Sequence, residues 1–244
     1  MAKRPVIETH IESIISETPR VATFRLALSK ESVFSFKAGQ FVMASIPDFR
    51  NDKDRPIRRA YSISSSPLDL SSGYLELTIT RVGEGGYFSN RIHEAKVGDT
   101  VLVEGPYGTS FTLSEGENCP HIFVGAGSGI APLRAMIRTL LLKPPAPEIK
   151  LVYGFRKAAD FIFEKELGSY AAPGKGFTLI TSHSRPDPDW NGLSGRVPEI
   201  LPRLFSGYGG EVVYICGHPE MVTGTVEFFK RAGFPDDSVR KEQW

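Results

Sequence analysis

The chain has 244 residues, 41% of them hydrophobic, and a formal charge of +1 at pH 7. That length holds one large domain or two modest ones, and the near-neutral balance speaks against a nucleic-acid binder that works by bulk charge. Two cysteines, Cys119 and Cys216, speak against a disulfide framework and fall short of the four thiolates of an ordinary iron–sulfur cluster.

From residue 5 to about 111 the pattern is one of short strands. The opening "MAKRPVIETHIESI" has basic residues but no apolar stretch of the signal-peptide kind. "VATFRLAL" and "YLELTITRV" alternate in the manner of half-buried strands, and "GQFVMASIP" and "TVLVEGP" add two more, the second after the turn "KVGD". A helical segment is expected around "SNRIHEA". This punctuation predicts a small antiparallel barrel or sandwich.

The rhythm changes after the polar linker "TLSEGENCP", where Cys119 lies. Strand "HIFVGAG" leads to helix "APLRAMIRTLLL", which "KPPAP" ends. Strand "IKLVYGF", helix "DFIFEKELGSYA", strand "FTLITSH", helix "VPEILPRLF", strand "EVVYICG" and helix "PEMVTGTVEFFKRAG" follow. Alternating strands and helices predict βαβ units and a parallel sheet. The expected domains are 1–114 and 115–244. No apolar run approaches the ~20 residues of a membrane span, so a cytoplasmic protein without a membrane partner is expected.

"VGAGSGIAP" places Gly125, Gly127 and Gly129 between a strand and a helix, with Pro132 in the helix's first turn. Two readings fit. Glycines there admit a pyrophosphate to the backbone N–H groups of a helix start, or they merely allow tight strand–helix packing. The spacing differs from the Gly-x-Gly-x-x-Gly fingerprint. The histidines, His10, His93, His121, His183 and His218, show no metal-binding spacing, and His218 could equally touch a nicotinamide or lie at the surface.

Arg59-Ala60-Tyr61-Ser62 resembles the Arg-x-Tyr-Ser flavin motif of the ferredoxin–NADP reductase family. Gly86-Tyr87-Phe88-Ser89-Asn90 is similar to a second motif of that family, Gly125 to Pro132 to a third, Cys216-Gly217-His218-Pro219 to a fourth, and the closing Glu242-Gln243-Trp244 to a fifth. The motifs stand in the family's order and span both halves. The resemblance implies an N-terminal antiparallel FAD-binding β-barrel followed by a doubly wound parallel-sheet NAD(P)-binding domain. It implies that Arg59 meets the FAD pyrophosphate, that Tyr61 lies against the isoalloxazine, and that Ser62 sits near N5. Ser89 and Asn90 would open a helix whose N–H groups suit the same pyrophosphate, with Thr80, Gly85, Gly86, Tyr87 and Phe88 in the same binding set. On the nucleotide side it implies Gly127, Ser128, Cys216 and Gly217 in the cofactor-binding set, with Cys216 near the nicotinamide, shaping hydride transfer rather than attacking. Glu242 would share proton handling with Ser62, and Trp244 would cover the flavin face.

An NADP 2′-phosphate calls for Arg, Lys and hydroxyl groups, whereas a free ribose diol favours a carboxylate. Arg156, Ser184, Arg185 and Arg196 resemble the family's phosphate-gripping set, while Asp187 and Asp189 lie close by in a loop with Trp190. NADP(H) is the expected nucleotide. The expected activity is hydride exchange between NADPH and FAD and single-electron exchange with a ferredoxin or flavodoxin, by a monomer. Acidic carriers of that kind would be steered by Arg55, Arg58 and Lys241. The alternatives are an NADH-dependent reductase component of an oxygenase, a free-flavin or ferric reductase, and a nucleotide-binding subunit without turnover of its own.

Overall fold

The computed structural model describes residues 4–29, 31–113, 119–172, 174 and 176–243. The N-terminal strands are β1 (Val6–Thr18), β2 (Val21–Leu28), β3 (Phe41–Arg50), β4 (Pro56–Ser62), β5 (Tyr74–Thr80) and β6 (Thr100–Tyr107). They form one antiparallel sheet in the order β4-β3-β6-β1-β2-β5. Just past β4, Ile63 bridges Leu77 and the Ser64 amide donates to the Glu76 carbonyl at 2.8 Å. That link joins the two edges of the sheet and curls it into the expected barrel. Phe24, Leu26, Val42, Leu75, Leu77, Val103 and, from helix α1 (Tyr87–Ile92), Phe88 fill its interior.

The second sheet is parallel. Its strands are β7 (His121–Ala126), β8 (Ile149–Phe155), β9 (Phe177–His183), β10 (Leu193–Ser194), β11 (Val212–Gly217) and β12 (Val239–Gln243), in the order β10-β9-β8-β7-β11-β12. The helices are α2 (Ile130–Leu141), α3 (Glu164–Tyr170), α4 (Val197–Ile200) and α5 (Pro219–Arg231). Val197 and Ile200 of α4 and Val222 and Phe229 of α5 pack on one face with Ile122, Val124, Val152, Val213 and Ile215. Gly125 is next to Val124 in the strand and so points to the other face. There a Cβ would stand 2.9 Å from Leu133 Cδ1 of α2. Helices on both faces make the sheet doubly wound, as expected. Among the described residues no helix is long and apolar enough to cross a membrane.

The chain divides into a unit of Met1–Leu113 with Arg134–Thr139, and a unit of Ser114–Leu133 with Leu140–Trp244. In the first, Arg134 donates to Glu76 Oε2 at 2.6 Å and to the Ser64 carbonyl at 3.1 Å. Arg25 closes on Glu76 Oε1 at 2.9 Å. Glu76 and Arg134 are nearly sealed from solvent, with side chains 2% and 7% exposed.

Several elements differ from expectation. Helix α1 starts at Tyr87, so Ser89 and Asn90 sit inside its first turn rather than opening it. The expected helix "DFIFEKELGSYA" shortens to α3, because Phe163 adopts a left-handed φ of 61°. Pro202 ends α4 early and turns the rest of "VPEILPRLF" into a 3-10 turn, Leu201–Arg203.

Removing one member of a buried ion pair strands the other's charge. Arg134→Leu is therefore expected to lower stability by about 3–5 kcal/mol, measured by urea unfolding. A loss below about 1 kcal/mol would show that Glu76 is satisfied by Arg25 alone.

Candidate active site

In the barrel unit, the edge strand β4 carries the Arg-x-Tyr-Ser residues. Arg59 and Ala60 are exposed, and Tyr61 and Ser62 are half-buried. The Arg59 Nη1 donates to the Arg58 carbonyl at 2.9 Å, and among the described residues no carboxylate pairs with its guanidinium. The Tyr61 ring rests on Phe88 with centroids 5.6 Å apart. Phe88 is thus the buried support of that ring. Burial pushes the Tyr61 phenol up to about 12, against the pull of Arg59, so its hydroxyl stays protonated at neutral pH. Arg58, Arg59, Ile57, Met43 and Tyr87 help to line a cavity of about 410 Å³. Tyr87 is 67% exposed and stands as an aromatic wall beside the two arginines.

The turn before α1 is held by the second motif. A Cβ on Gly86 would fall 2.3 Å from the Val82 carbonyl oxygen and 2.7 Å from Ser89 Oγ, so only glycine closes this turn. The Ser89 hydroxyl donates to the Gly86 carbonyl at 3.2 Å and accepts from the Val82 amide at 3.2 Å. Asn90 Nδ2 donates to the Gly83 carbonyl at 2.9 Å. Asn90 Oδ1 is shielded and has no hydrogen-bond partner among the described residues, which leaves an acceptor available to a ligand hydroxyl. Thr80 ends β5, and Gly85 takes a left-handed φ of 82°. These residues fit one end of an FAD: an unneutralised guanidinium, a supported aromatic ring, a turn without side-chain bulk and an orphaned acceptor.

Arg58 departs from its expected role as a free steering cation. Its Nη1 lies 2.6 Å from Glu104 Oε2, and Tyr107 donates its hydroxyl to the other oxygen of the same carboxylate. Sequence reasoning missed Glu104 because it reads as an ordinary outward residue of "TVLVEGP".

In the parallel-sheet unit, β7 lies between β8 and β11, so the chain winds outward from it in both directions. Such a reversal opens a crevice at the carboxyl ends of the strands, where ligands bind in folds of this kind. The Gly-rich loop lies there. Gly125 serves the packing described above, whereas Gly127 takes φ 53° with open space around its Cβ position. The Tyr153 hydroxyl donates to the Gly127 carbonyl at 2.9 Å and fixes the loop. Ser128 is half-buried in the same turn. Across the crevice, Cys216 pairs in register with Gly125 on one side and Glu242 on the other. A Cβ on Gly217 would stand 3.5 Å from the Ala126 backbone.

Cys216 is fully buried. Burial, then the Glu242 charge, pushes its thiol well up, which suits a shape-determining side chain and not a nucleophile. Its Sγ lies 4.0 Å from Glu242 Oε2. Glu242 is half-buried in β12, and burial pushes its carboxyl up to about 7. Trp244 lies outside the described residues. The Gln243 and Lys241 side chains beside Glu242 are exposed.

The expected phosphate-gripping residues gather at the ends of β8 and β9. The Ser184 amide donates to the Phe155 carbonyl at 2.9 Å, and the Arg185 amide to the Arg156 carbonyl at 3.0 Å. Arg156, Ser184 and Arg185 are exposed, and among the described residues no carboxylate pairs with either arginine. Arg196 caps α4 and lies 3.4 Å from Glu220, with both side chains about three-quarters exposed (72% and 75%). Beneath them Trp190 stacks on His183 with centroids 3.6 Å apart.

Residues 8–111 match the oxidoreductase FAD-binding domain family, and residues 123–227 match the oxidoreductase NAD-binding domain family. The chain is 31% identical to Ferredoxin--NADP reductase B of Sorangium cellulosum, over 100% of both chains. It is 28% identical to the reductase component of propane 2-monooxygenase from Rhodococcus jostii, over 96% of this chain and 62% of that protein. Among solved structures, the Amycolatopsis cytochrome P450 reductase GcoB superposes with a TM-score of 0.84 at 26% identity, covering 100% of this chain and 71% of that one. The chain belongs to the ferredoxin–NADP reductase family of oxidoreductases, with an FAD-binding barrel and a parallel-sheet domain for a nicotinamide dinucleotide.

Proposed function

We propose that this protein is an NADPH-dependent flavoprotein reductase that exchanges single electrons with a ferredoxin or flavodoxin. The observation that carries the nucleotide preference is the pair Arg156 and Arg185, exposed at adjoining strand ends beside Ser184 with no carboxylate pairing to either among the described residues. A guanidinium pair with a hydroxyl suits a phosphate dianion. The likeness to Ferredoxin--NADP reductase B over both full lengths supports the same reading.

FAD, when bound, supplies the conversion between two-electron and one-electron chemistry. The chain's own residues then have separable tasks. Arg59 binds the pyrophosphate, and Gly86 keeps side-chain bulk away from it. Tyr61, backed by Phe88, offers a flat and uncharged face. Gly127 and Ser128 present backbone to the nucleotide, and Cys216 limits the space at the crevice. Ser62 and Glu242 handle the proton, with Glu242 tuned by burial to hold one near neutral pH. Trp244 is assigned the aromatic cover.

A second reading, the reductase component of an oxygenase, rests on the likeness to the propane 2-monooxygenase reductase and on the carboxylate of Asp187 two residues beyond Arg185. NADPH-driven reduction of an acidic ferredoxin and of a flavodoxin, with NADH in parallel, separates the two. Arg185→Ala is expected to raise the KM for NADPH by about 10-fold or more, the size of a lost charge-assisted hydrogen bond. NADH should change by less than about twofold. Equal effects on both nucleotides would remove the 2′-phosphate role from Arg185.

The raised carboxyl of Glu242 has a consequence for stability. The folded chain holds a proton there that the unfolded chain, at the ordinary 4.5, has released. This contribution is full below about pH 4.5 and is lost as the pH rises through about 7. Glu242→Gln stays neutral throughout, so its Tm should fall less than that of the parent between about pH 5 and about pH 8. Parallel Tm profiles for the two proteins would contradict the assignment.

A further inference from the structure

The ends of β8 and β9 carry more charge than the arginines account for. Lys157 follows Arg156, and its Nζ lies 3.2 Å from Asp187 Oδ1, with side chains 56% and 41% exposed. The position of Asp187 is built by the fold. The Trp190 amide donates to the Asp187 carbonyl at 3.0 Å, and the Trp190 indole Nε1 donates to the Leu193 carbonyl at 3.0 Å. A Cβ on Gly192 would meet the indole at 2.2 Å, so the loop closes only around a glycine. The indole in turn lies flat on the buried His183, at an interplanar angle of 13°. Burial lowers the His183 imidazole, and the Asp187 charge opposes that shift. The loop therefore holds the carboxylate against Lys157, the residue that follows Arg156.

We propose that Lys157 and Asp187 set how strongly this chain distinguishes a 2′-phosphorylated adenine nucleotide from one with a free 2′-hydroxyl. The inference rests on the nucleotide reading given above. Arg156, Lys157 and Arg185 are three cations and Asp187 is one carboxylate, which leaves two net positive charges for a phosphate that carries about −1.5 to −2 near pH 7. An ion pair as exposed as Lys157–Asp187 is held weakly. An arriving phosphate can take the ammonium, while the carboxylate repels the phosphate and accepts from a free ribose hydroxyl. Asp187 thus tempers the preference that the three cations create. The remaining charges of the region are Arg196 with its partner Glu220, the exposed Asp189, and Asp160, whose carboxylate accepts from the Lys157 amide at 3.2 Å.

The test is calorimetric binding of 2′,5′-ADP and 5′-AMP to the FAD-loaded full chain, for the parent, Lys157→Gln, Asp187→Asn and the double variant. The quantity read is the ratio of the two affinities. Lys157→Gln is expected to lower it about fivefold and Asp187→Asn to raise it about fivefold, the scale of one exposed charge. The double variant returns near the parent, 5′-AMP binding stays within about twofold for Lys157→Gln and weakens for Asp187→Asn, and an unchanged circular dichroism spectrum reports intact folding. Single variants that leave the ratio within about twofold of the parent overturn this inference alone. A parent that binds the two ligands equally overturns it together with the NADPH reading.

Discussion

The order of the parallel sheet is the constraint on which the nucleotide half depends. Because β7 sits between β8 and β11, the chain leaves it in opposite directions, and no crossover covers the carboxyl ends at that point. Everything that reaches the crevice must do so without bulk. Gly125 makes room for Leu133, and Gly217 makes room for Met221, whose Cε a Cβ there would meet at 2.3 Å. The same pairing that builds the sheet aligns residues that the proposed function uses. Gly125, Cys216 and Glu242 stand side by side through the β7–β11 and β11–β12 registers, so the buried thiol and the proton-holding carboxyl follow from strand alignment.

Charge is distributed locally, although the total is near zero. In the barrel unit Glu76 and Arg134 are buried as a pair, and Arg25, 34% exposed, closes on the other carboxylate oxygen. Elsewhere arginines stand at strand edges and ends, with Arg59, Arg156 and Arg185 each outside any carboxylate pair among the described residues. Arg58 shows how little separates the two uses. It is adjacent to Arg59, yet Glu104 claims its guanidinium and Tyr107 holds the carboxylate in place. A bare sequence shows two consecutive arginines; only the cross-strand neighbour tells them apart.

Much of this was legible in the sequence where local pattern and tertiary burial agree. "VATFRLAL", "IKLVYGF" and "FTLITSH" coincide with β2, β8 and β9 to the residue, because each run is apolar enough to demand a strand whatever its neighbours. The sequence pattern marks no strand at β1, β4, β10 or β12. β1 exposes many of its residues, and in β12 the run "VRKEQ" is almost wholly polar and is made a strand by pairing with β11. The helix expected over "DFIFEKELGSYA" lost its first turn to aromatic packing, since Phe161 leaves the helix to stack on Phe155 at 4.7 Å. At the candidate site, the motif residues are recognisable by type and spacing. Their division of labour is not, because Ser89 holding a turn and Phe88 backing a ring are consequences of contacts far shorter in space than any pattern records. Lys157 was overlooked although it directly follows Arg156, since its significance lies in a partner 30 residues away.

The central claim is that this chain couples a nicotinamide dinucleotide, with preference for the 2′-phosphorylated form, to bound FAD. The most direct test is the visible spectrum of the FAD-loaded protein during anaerobic titration with NADPH, with NADH in a parallel cell. Flavin bands are expected to bleach at lower concentrations of NADPH than of NADH. Bands that bleach first with NADH, or a protein that retains no flavin after FAD is supplied, would contradict the claim.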